Sequence, residues 1–375
     1  MKKNVEAFPK SDTQIIKGLA ILLMLMHHLW FFPDRIAGGE LKYLFTFLGK
    51  SSTDIMGSFG KICVSLFFFV GGYGIYKKSE EKDFNILKNI KKIYLNYWKI
   101  FLIFIPIGYL FFSNQKAYCT DPVIYSVFSK FSFSNLLPNF FGVSSTLNRE
   151  WWFLEDYIVA IISFPFIKKL FENKSTSANI SIIVIMTILM CNVFPTIGGY
   201  ESLGVLNNNY LYYTFLCQAV PFVSCFWLGI LFAKDDLFKK ITKRINEVIT
   251  LSPIIDIIGI MLIVYSREFL VGEIIDIIYV PLLIILFLNL IQELSIIKKI
   301  FTFLGDNSTN MWLTHSFFCY YFSLFARITT YFKWALPCLI VLLFFSITSS
   351  LLVDYFWRGI SLIHNKILKR KNSIV

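Results

Sequence analysis

The sequence predicts an all-α integral membrane protein with about ten transmembrane helices in a single domain, residues 1–375. Hydrophobic residues make up 56% of the chain, and its mean hydropathy is +0.63. Charged residues make up only 16%, whereas soluble domains average about 25%. The apolar residues also cluster into segments close to the length of about 20 residues that an α-helix needs to cross a bilayer.

Ten such segments follow one another along the chain, and the fourth, seventh and eighth contain carboxylates. Their approximate bounds are 14–33, 55–76, 93–113, 151–168, 179–196, 213–233, 248–265, 270–291, 311–328 and 335–356. The longest predicted loop covers residues 114–150, and we expect a short re-entrant helix near Phe133–Phe141.

Basic residues are distributed unevenly between the two sides of this predicted topology. With the N-terminus inside, 25 Lys and Arg residues fall on the inner side and ten on the outer side or at adjacent helix ends. Because cytoplasmic loops of membrane proteins are enriched in Lys and Arg, both termini are predicted to be cytoplasmic. The same enrichment explains the net charge of +12, so nucleic acid is not an expected partner.

The seven cysteines argue against a disulfide-bonded or metal-binding protein, and the N-terminal segment argues against a cleaved signal peptide. Most cysteines lie inside apolar runs and none forms a C-x-x-C motif, so neither a disulfide framework nor a metal site is expected. The first apolar stretch is too long for a signal peptide and no small-residue cleavage site follows it. We therefore expect a retained first helix.

The first segment, "IIKGLAILLMLMHHLW", places ionisable groups in an apolar helix. Lys17 and His28 are 11 residues apart, close to three full turns, so they share one helix face about 16 Å apart along the axis. His27 points about 100° away from that face. Lys17 is equally explained as an interfacial anchor and the histidines as partners of a neighbouring helix, but a histidine can also accept and return a hydroxyl proton.

This helix and four later motifs resemble the acyltransferase-3 family of bacterial integral membrane O-acyltransferases. Lys17 and His28 fit its motif of a basic residue, ten intervening residues and a histidine. The later matches, in the order of the family, are "SLFFFVGGYGIYKK", with Gly71 at the usual serine position, "KNIKKIYLNYW", "EWWFLEDYIVAIISFP" and "FLGDNSTNMWLTHSFF". The resemblance extends from about Gln14 to Phe356.

The resemblance implies an enzyme that transfers acyl groups other than amino-acyl groups, with His28 as the catalytic base. The expected donor is an acyl-CoA, most simply acetyl-CoA, bound from the cytoplasm, and no metal is expected. Its binding residues would be Lys17, the cluster Lys88, Lys91 and Lys92 in place of the family's Arg-x-x-Arg, and His315. All four lysines are also explained by topology alone, and His315 by a buried hydrogen bond.

Four residues at the start of the fourth segment are the candidates for orienting His28 or binding the acceptor. Glu155 or Asp156 could hold the imidazole in one tautomer, and Trp152 and Tyr157 could stack on a sugar ring. Each also fits an ordinary interfacial belt of aromatic and charged residues.

Two functions of different classes follow from these residues. The first is the transfer of an acyl group, most simply acetyl, to a hydroxyl of a cell-envelope glycan or lipid-linked sugar at the bacterial cytoplasmic membrane. The second is a proton-coupled transporter or a flippase of polysaccharide intermediates, for which membrane-depth carboxylates such as Asp256 and Asp276 would be suitable. The sequence shows no inverted repeat, which favours the enzyme, and it does not determine the oligomeric state.

Overall fold

A computed structural model describes residues 8–188, 220–248, 251–271 and 275–372. The described part is a bundle of helices with one two-stranded antiparallel hairpin, β1 Thr46–Phe47 and β2 Lys50–Ser51. The all-α prediction is confirmed for these residues.

Fifteen α-helices are defined within the described ranges. They are α1 Lys10–Trp30, α2 Ser52–Gly60, α3 Ile62–Lys78, α4 Ile86–Phe111, α5 Pro122–Ser126, α6 Phe133–Phe140, α7 Trp152–Glu172, α8 Thr176–Ile188, α9 Val220–Lys234, α10 Leu237–Val248, α11 Pro253–Ser266, α12 Asp276–Leu290, α13 Ser295–Ser316, α14 Ser323–Thr329 and α15 Ala335–Asn372. A 3₁₀ turn, Arg149–Trp151, precedes α7, and π-helical turns follow α11 and α13 at Arg267–Val271 and Phe317–Tyr321.

Four of the described helical stretches are long and apolar enough to cross a membrane. They are α1, the nearly continuous pair α2 and α3, α4, and α15 up to Ile363; a bent pair formed by α10 and α11 would make a fifth. Three shorter apolar helices are α8, residues Phe222–Lys234 of α9, and α12. Parts of the fifth to eighth predicted segments lie outside the described residues, so the count of ten spans and the cytoplasmic termini stay predictions.

The ninth predicted segment was wrong in its bounds. It was expected to begin at 311 after a cytoplasmic loop, but α13 already begins at Ser295 and ends at Ser316. The polar residues inside α13 find tertiary partners: Asp306 accepts a hydrogen bond from Gln14 at 2.9 Å, and Asn307 accepts one from Ser350 at 2.9 Å. Because these contacts satisfy the polar groups, the helix continues through a stretch whose hydropathy is as low as that of a loop.

Helices α1 and α13 cross with their backbones in contact. A Cβ atom on Gly18 would lie 2.0 Å from the carbonyl oxygen of Phe301, and one on Gly305 would lie 1.9 Å from that of Gln14. Two small residues thus let the axes approach to a distance that any side chain would prevent. A second crossing of this kind joins α3 to α9 at Gly72 and Gly229.

The predicted loop 114–150 contains two short helices, α5 and α6. The helix expected near Phe133–Phe141 is present as α6, Phe133–Phe140. Its Asn139 side chain accepts a hydrogen bond from the backbone N–H of Leu147 at 3.1 Å and donates one to Thr146 at 2.8 Å. These bonds fix the chain that leads into the 3₁₀ turn. The re-entrant character of α6 stays a prediction.

The α1–α13 crossing predicts that Gly305→Ala destabilises the protein. The new methyl group meets backbone that cannot rotate away, and overpacking of this kind costs about 1–3 kcal/mol. Thermal unfolding in detergent should show a lower midpoint for this variant than for the wild type.

Gly359→Ala is the matched control, because it lies in α15 and its Cβ has nothing within 4 Å. Alanine favours helix over glycine by about 1 kcal/mol, so this variant should be at least as stable as the wild type. Equal midpoints for the two variants would contradict the close crossing.

Candidate active site

His28 lies in the last turn of α1, where a carboxylate and an arginine adjoin it. Its Nδ1 atom is 3.4 Å from Oε2 of Glu150, and Oε1 of Glu150 is 3.2 Å from Nη1 of Arg35. All three residues line one cavity, and the side chain of Glu150 is only 4% exposed. The three groups therefore form a connected set of a proton acceptor, a buried carboxylate and a fixed cation.

Glu150 reaches this position because the segment before α7 is bonded to α13. Asn148 donates from its side-chain amide to the hydroxyl of Ser316 at 2.7 Å, and its Oδ1 accepts the backbone N–H of Glu150 at 3.1 Å. The indole of Trp151 donates to the carbonyl of Leu313 at 3.0 Å, and that of Trp312 donates to the carbonyl of Glu150 at 3.3 Å. The 3₁₀ turn is thereby held against the end of α13, beside His28.

Burial makes Glu150 titrate near neutrality. Its removal from water raises the pKa of the carboxyl group from 4.5 to about 7, while the positive charges of Arg35 and Arg149 oppose that rise. A carboxyl group with this pKa changes its charge within the physiological range. Such groups are enriched at functional sites.

Tyr320 and Phe32 complete the surroundings of His28 and Arg35. The Tyr320 hydroxyl donates to the backbone carbonyl of His28 and lies 3.5 Å from its Nδ1 atom. The guanidinium of Arg35 lies 4.1 Å from the centre of the Phe32 ring. The position of α1 at this end is therefore fixed by a hydrogen bond from the π-helical turn that follows α13.

His27 occupies a different environment from His28, although it also borders the cavity. Its Nδ1 donates to the backbone carbonyl of Gly57 at 2.7 Å, and the side chain packs against the α2–α3 junction near Gly60. This bond joins α1 to α2. The arrangement agrees with the predicted inequivalence of the two histidines.

His315 is fully buried beside His28, with 4.8 Å between the ring centres. Its Nδ1 donates to the carbonyl of Trp312 at 2.7 Å, and its Nε2 has no hydrogen-bond partner in the described structure. The sequence grouped His315 with the donor-binding lysines. The structure separates it from Lys17 and places it at the opposite end of α1.

Glu155 and Asp156 do not form the carboxylate contact expected of them. The carboxylate beside His28 is Glu150, and neither of the other two is among the described residues that line the cavity. Both are buried, and both carboxylate oxygens of Asp156 lack a hydrogen-bond partner within the described residues. The expected aromatic pair, Trp152 and Tyr157, does line the cavity.

The sequence reasoning missed Glu150 because it assigned this residue to a loop of undefined depth. A signal was available in "LNREWW", where a carboxylate stands directly before two tryptophans. Tryptophans are enriched where membrane helices begin and end, so the carboxylate before them stands next to the start of a helix.

A single cavity of about 1240 Å³ connects the His28 end of α1 to its beginning. The lining at the beginning of α1 includes five lysines: Lys10, Lys17, Lys77, Lys78 and Lys92. Two of these, Lys17 and Lys92, were predicted. The other two predicted lysines, Lys88 and Lys91, are exposed and are not among the described lining residues.

The middle of the cavity is lined by apolar and aromatic residues from α3 and α7, including Val64, Phe67, Val70 and Tyr157. A Cβ atom on Gly71 would lie 2.3 Å from the hydroxyl of Tyr157. The replacement of the usual serine by Gly71 therefore makes room for this tyrosine.

Among the described residues, no group of three or more His, Cys, Asp or Glu side chains could hold a metal ion.

Comparison with known proteins identifies the family. No curated protein matches the chain. A family model described as an acyltransferase domain matches residues 12–353, nearly the whole chain, and this span includes every residue of the site named above except Lys10. The chain therefore belongs to the acyltransferase-3 family and is an acyltransferase that does not transfer amino-acyl groups.

Proposed function

We propose that this protein transfers an acyl group, most simply acetyl, from a cytoplasmic acyl-CoA to a hydroxyl of a cell-envelope glycan or lipid-linked sugar. The observation that carries the proposal is the single cavity that connects the lysines at the beginning of α1 with His28 and Glu150 at its end. Family membership favours this reaction at the bacterial cytoplasmic membrane over the transporter or flippase.

The two ends of the cavity suit the two ends of an acyl-CoA. The nucleotide part of the donor carries several phosphates, and five lysines at one end of the cavity would attract them. The thioester stands at the far end of a long, flexible arm without charge. That arm would follow the apolar middle of the cavity over the distance of about 16 Å that separates Lys17 from His28 along α1.

His28 would act as the base and then as the acid of the transfer. With Nδ1 directed to Glu150, the imidazole keeps Nε2 to take the proton from the acceptor hydroxyl. The oxygen then attacks the thioester carbonyl, the carbon–sulfur bond breaks, and the leaving thiolate takes the proton from the imidazolium. A Glu150 carboxylate 3.4 Å from Nδ1 would stabilise the transient imidazolium and hold its tautomer.

His28→Ala should abolish acyl transfer while leaving the folded protein intact, because a general base contributes about 10²–10⁴-fold to the rate. His27→Ala should cost stability rather than turnover, because it removes the bond to Gly57. The measurement is acylated product, detected by mass spectrometry of the acceptor, at equal folded amounts of each variant. The assignment fails if His28→Ala retains more than roughly a tenth of the activity.

Lys92→Gln should weaken donor binding, whereas Lys91→Gln should not. The two residues are neighbours on α4 and both are exposed, but only Lys92 lines the cavity. Titration of each variant with a non-hydrolysable acyl-CoA should give a higher Kd and a smaller salt dependence for Lys92→Gln alone. Equal affinities would remove Lys92 from the donor site.

Activity should rise with pH through about 7, because Glu150, with its pKa of about 7, must be ionised to stabilise the imidazolium. Glu150→Gln should lower the rate by about 10²–10⁴-fold and move the rising limb of the pH profile away from 7. The measurement is kcat/KM across the pH range for both proteins. An unchanged limb near pH 7 in the variant would show that another group titrates there.

A further inference from the structure

The cavity wall near His28 carries a second arginine, Arg149, besides Arg35. Three cations, Arg35, Lys61 and Arg149, line it together with one carboxylate, Glu150. Glu150 already contacts Arg35 and His28. Arg149 is paired with Asp121 and acts on Glu150 through its charge.

Arg149 is held in place on two sides. Its Nη1 donates to Oδ2 of Asp121 at 2.8 Å, and its backbone N–H donates to the hydroxyl of Tyr321 at 2.9 Å. The Asp121 side chain is only 13% exposed, whereas that of Arg149 is 38% exposed and borders the cavity. A guanidinium has five N–H donors, so the contact to Asp121 orients the group and leaves donors for a ligand.

Aromatic rings surround the same part of the cavity. Phe32, Trp152, Phe153 and Trp312 all line it, and the rings of Phe153 and Trp312 are 4.9 Å apart at an angle of 66°. Flat apolar faces of this kind suit the C–H faces of a sugar ring. An arginine beside them suits a planar or tetrahedral oxyanion, which it binds through paired hydrogen bonds.

We propose that the acceptor is an anionic sugar, one that bears a phosphate or a carboxylate, and that Arg149 binds this anionic group. The aromatic residues hold the sugar ring while its hydroxyl faces His28. This inference rests on the proposed function for the role of the site. It adds the chemical class of the acceptor.

Chemical protection of Arg149 tests the proposal without requiring turnover. The purified protein is treated with phenylglyoxal, which modifies arginine, and the modification of each arginine is followed by peptide mass spectrometry. The added ligands, at equal concentration and ionic strength, are methyl glucoside, methyl glucuronide, glucose 1-phosphate and inorganic phosphate. Arg327, which is exposed and is not among the described cavity-lining residues, is the internal control.

We expect at least one of the two sugar anions to slow the modification of Arg149 and to leave Arg327 unchanged. Protection by only glucuronide or only glucose 1-phosphate identifies the anionic group as carboxylate or phosphate. The proposal is overturned if neither sugar anion protects Arg149, if methyl glucoside protects it as well as they do, if inorganic phosphate protects it as well as they do, or if Arg327 is equally protected.

Three variants separate this inference from the proposed function. Arg149→Gln should raise the KM for the sugar anion that protects Arg149 by about 10- to 100-fold, as the loss of a charged hydrogen bond predicts, and by more than it lowers kcat. Arg149→Lys should recover part of the loss. His28→Ala should keep the protection of Arg149 but lose transfer. Transfer that survives in His28→Ala refutes the proposed base, whereas a KM unaffected by Arg149→Gln refutes the anionic acceptor.

Discussion

The backbone contact between α1 and α13 determines where the chemistry can occur. Because Gly18 and Gly305 let these helices touch, the rings of His28 and His315 lie 4.8 Å apart where α1 and α13 end. The same approach brings Tyr320 within reach of the His28 carbonyl. The 3₁₀ turn that carries Glu150 is held to α13 by hydrogen bonds from Asn148 and Trp151, so a change in the crossing would separate the carboxylate from His28 on α1.

Burial of Glu150 is unfavourable by itself, and the structure compensates for it only in part. A buried carboxylate needs a partner of opposite charge and satisfied hydrogen bonds. Arg35 supplies the charge at 3.2 Å, yet the pKa of Glu150 is still raised to about 7 because burial outweighs that attraction. A wholly structural ion pair would keep its carboxylate firmly ionised. Incomplete compensation would leave Glu150 sensitive to the charge that the proposed mechanism places on His28.

The sequence predicted the features that follow from helical periodicity, such as which residues share a helix face. It did not predict the features that depend on tertiary contacts, such as the depth of a residue in the fold. The shared face of Lys17 and His28 follows from helical geometry alone, and both residues line the cavity. Glu150 could not be placed, because its depth depends on bonds from Asn148 and Trp151 to a distant helix. The beginning of α13 was missed for a similar reason. Lys77 and Lys78 were likewise read as topology signals, since only the fold shows that they face the cavity.

The distribution of charge along the cavity gives the proposed transfer a direction. Of the five lysines at the beginning of α1, Lys10, Lys78 and Lys92 are exposed, so this end suits a polyanion that must bind and leave. At the other end Glu150 and His28 are buried, and Arg149 is oriented by Asp121, so they suit one defined geometry. Between Lys61 and Lys77, the lining residues of α3 carry no charged side chains. An uncharged arm would lose much less hydration there than phosphates would, so under the proposed function the cavity would admit the acyl group and retain the nucleotide.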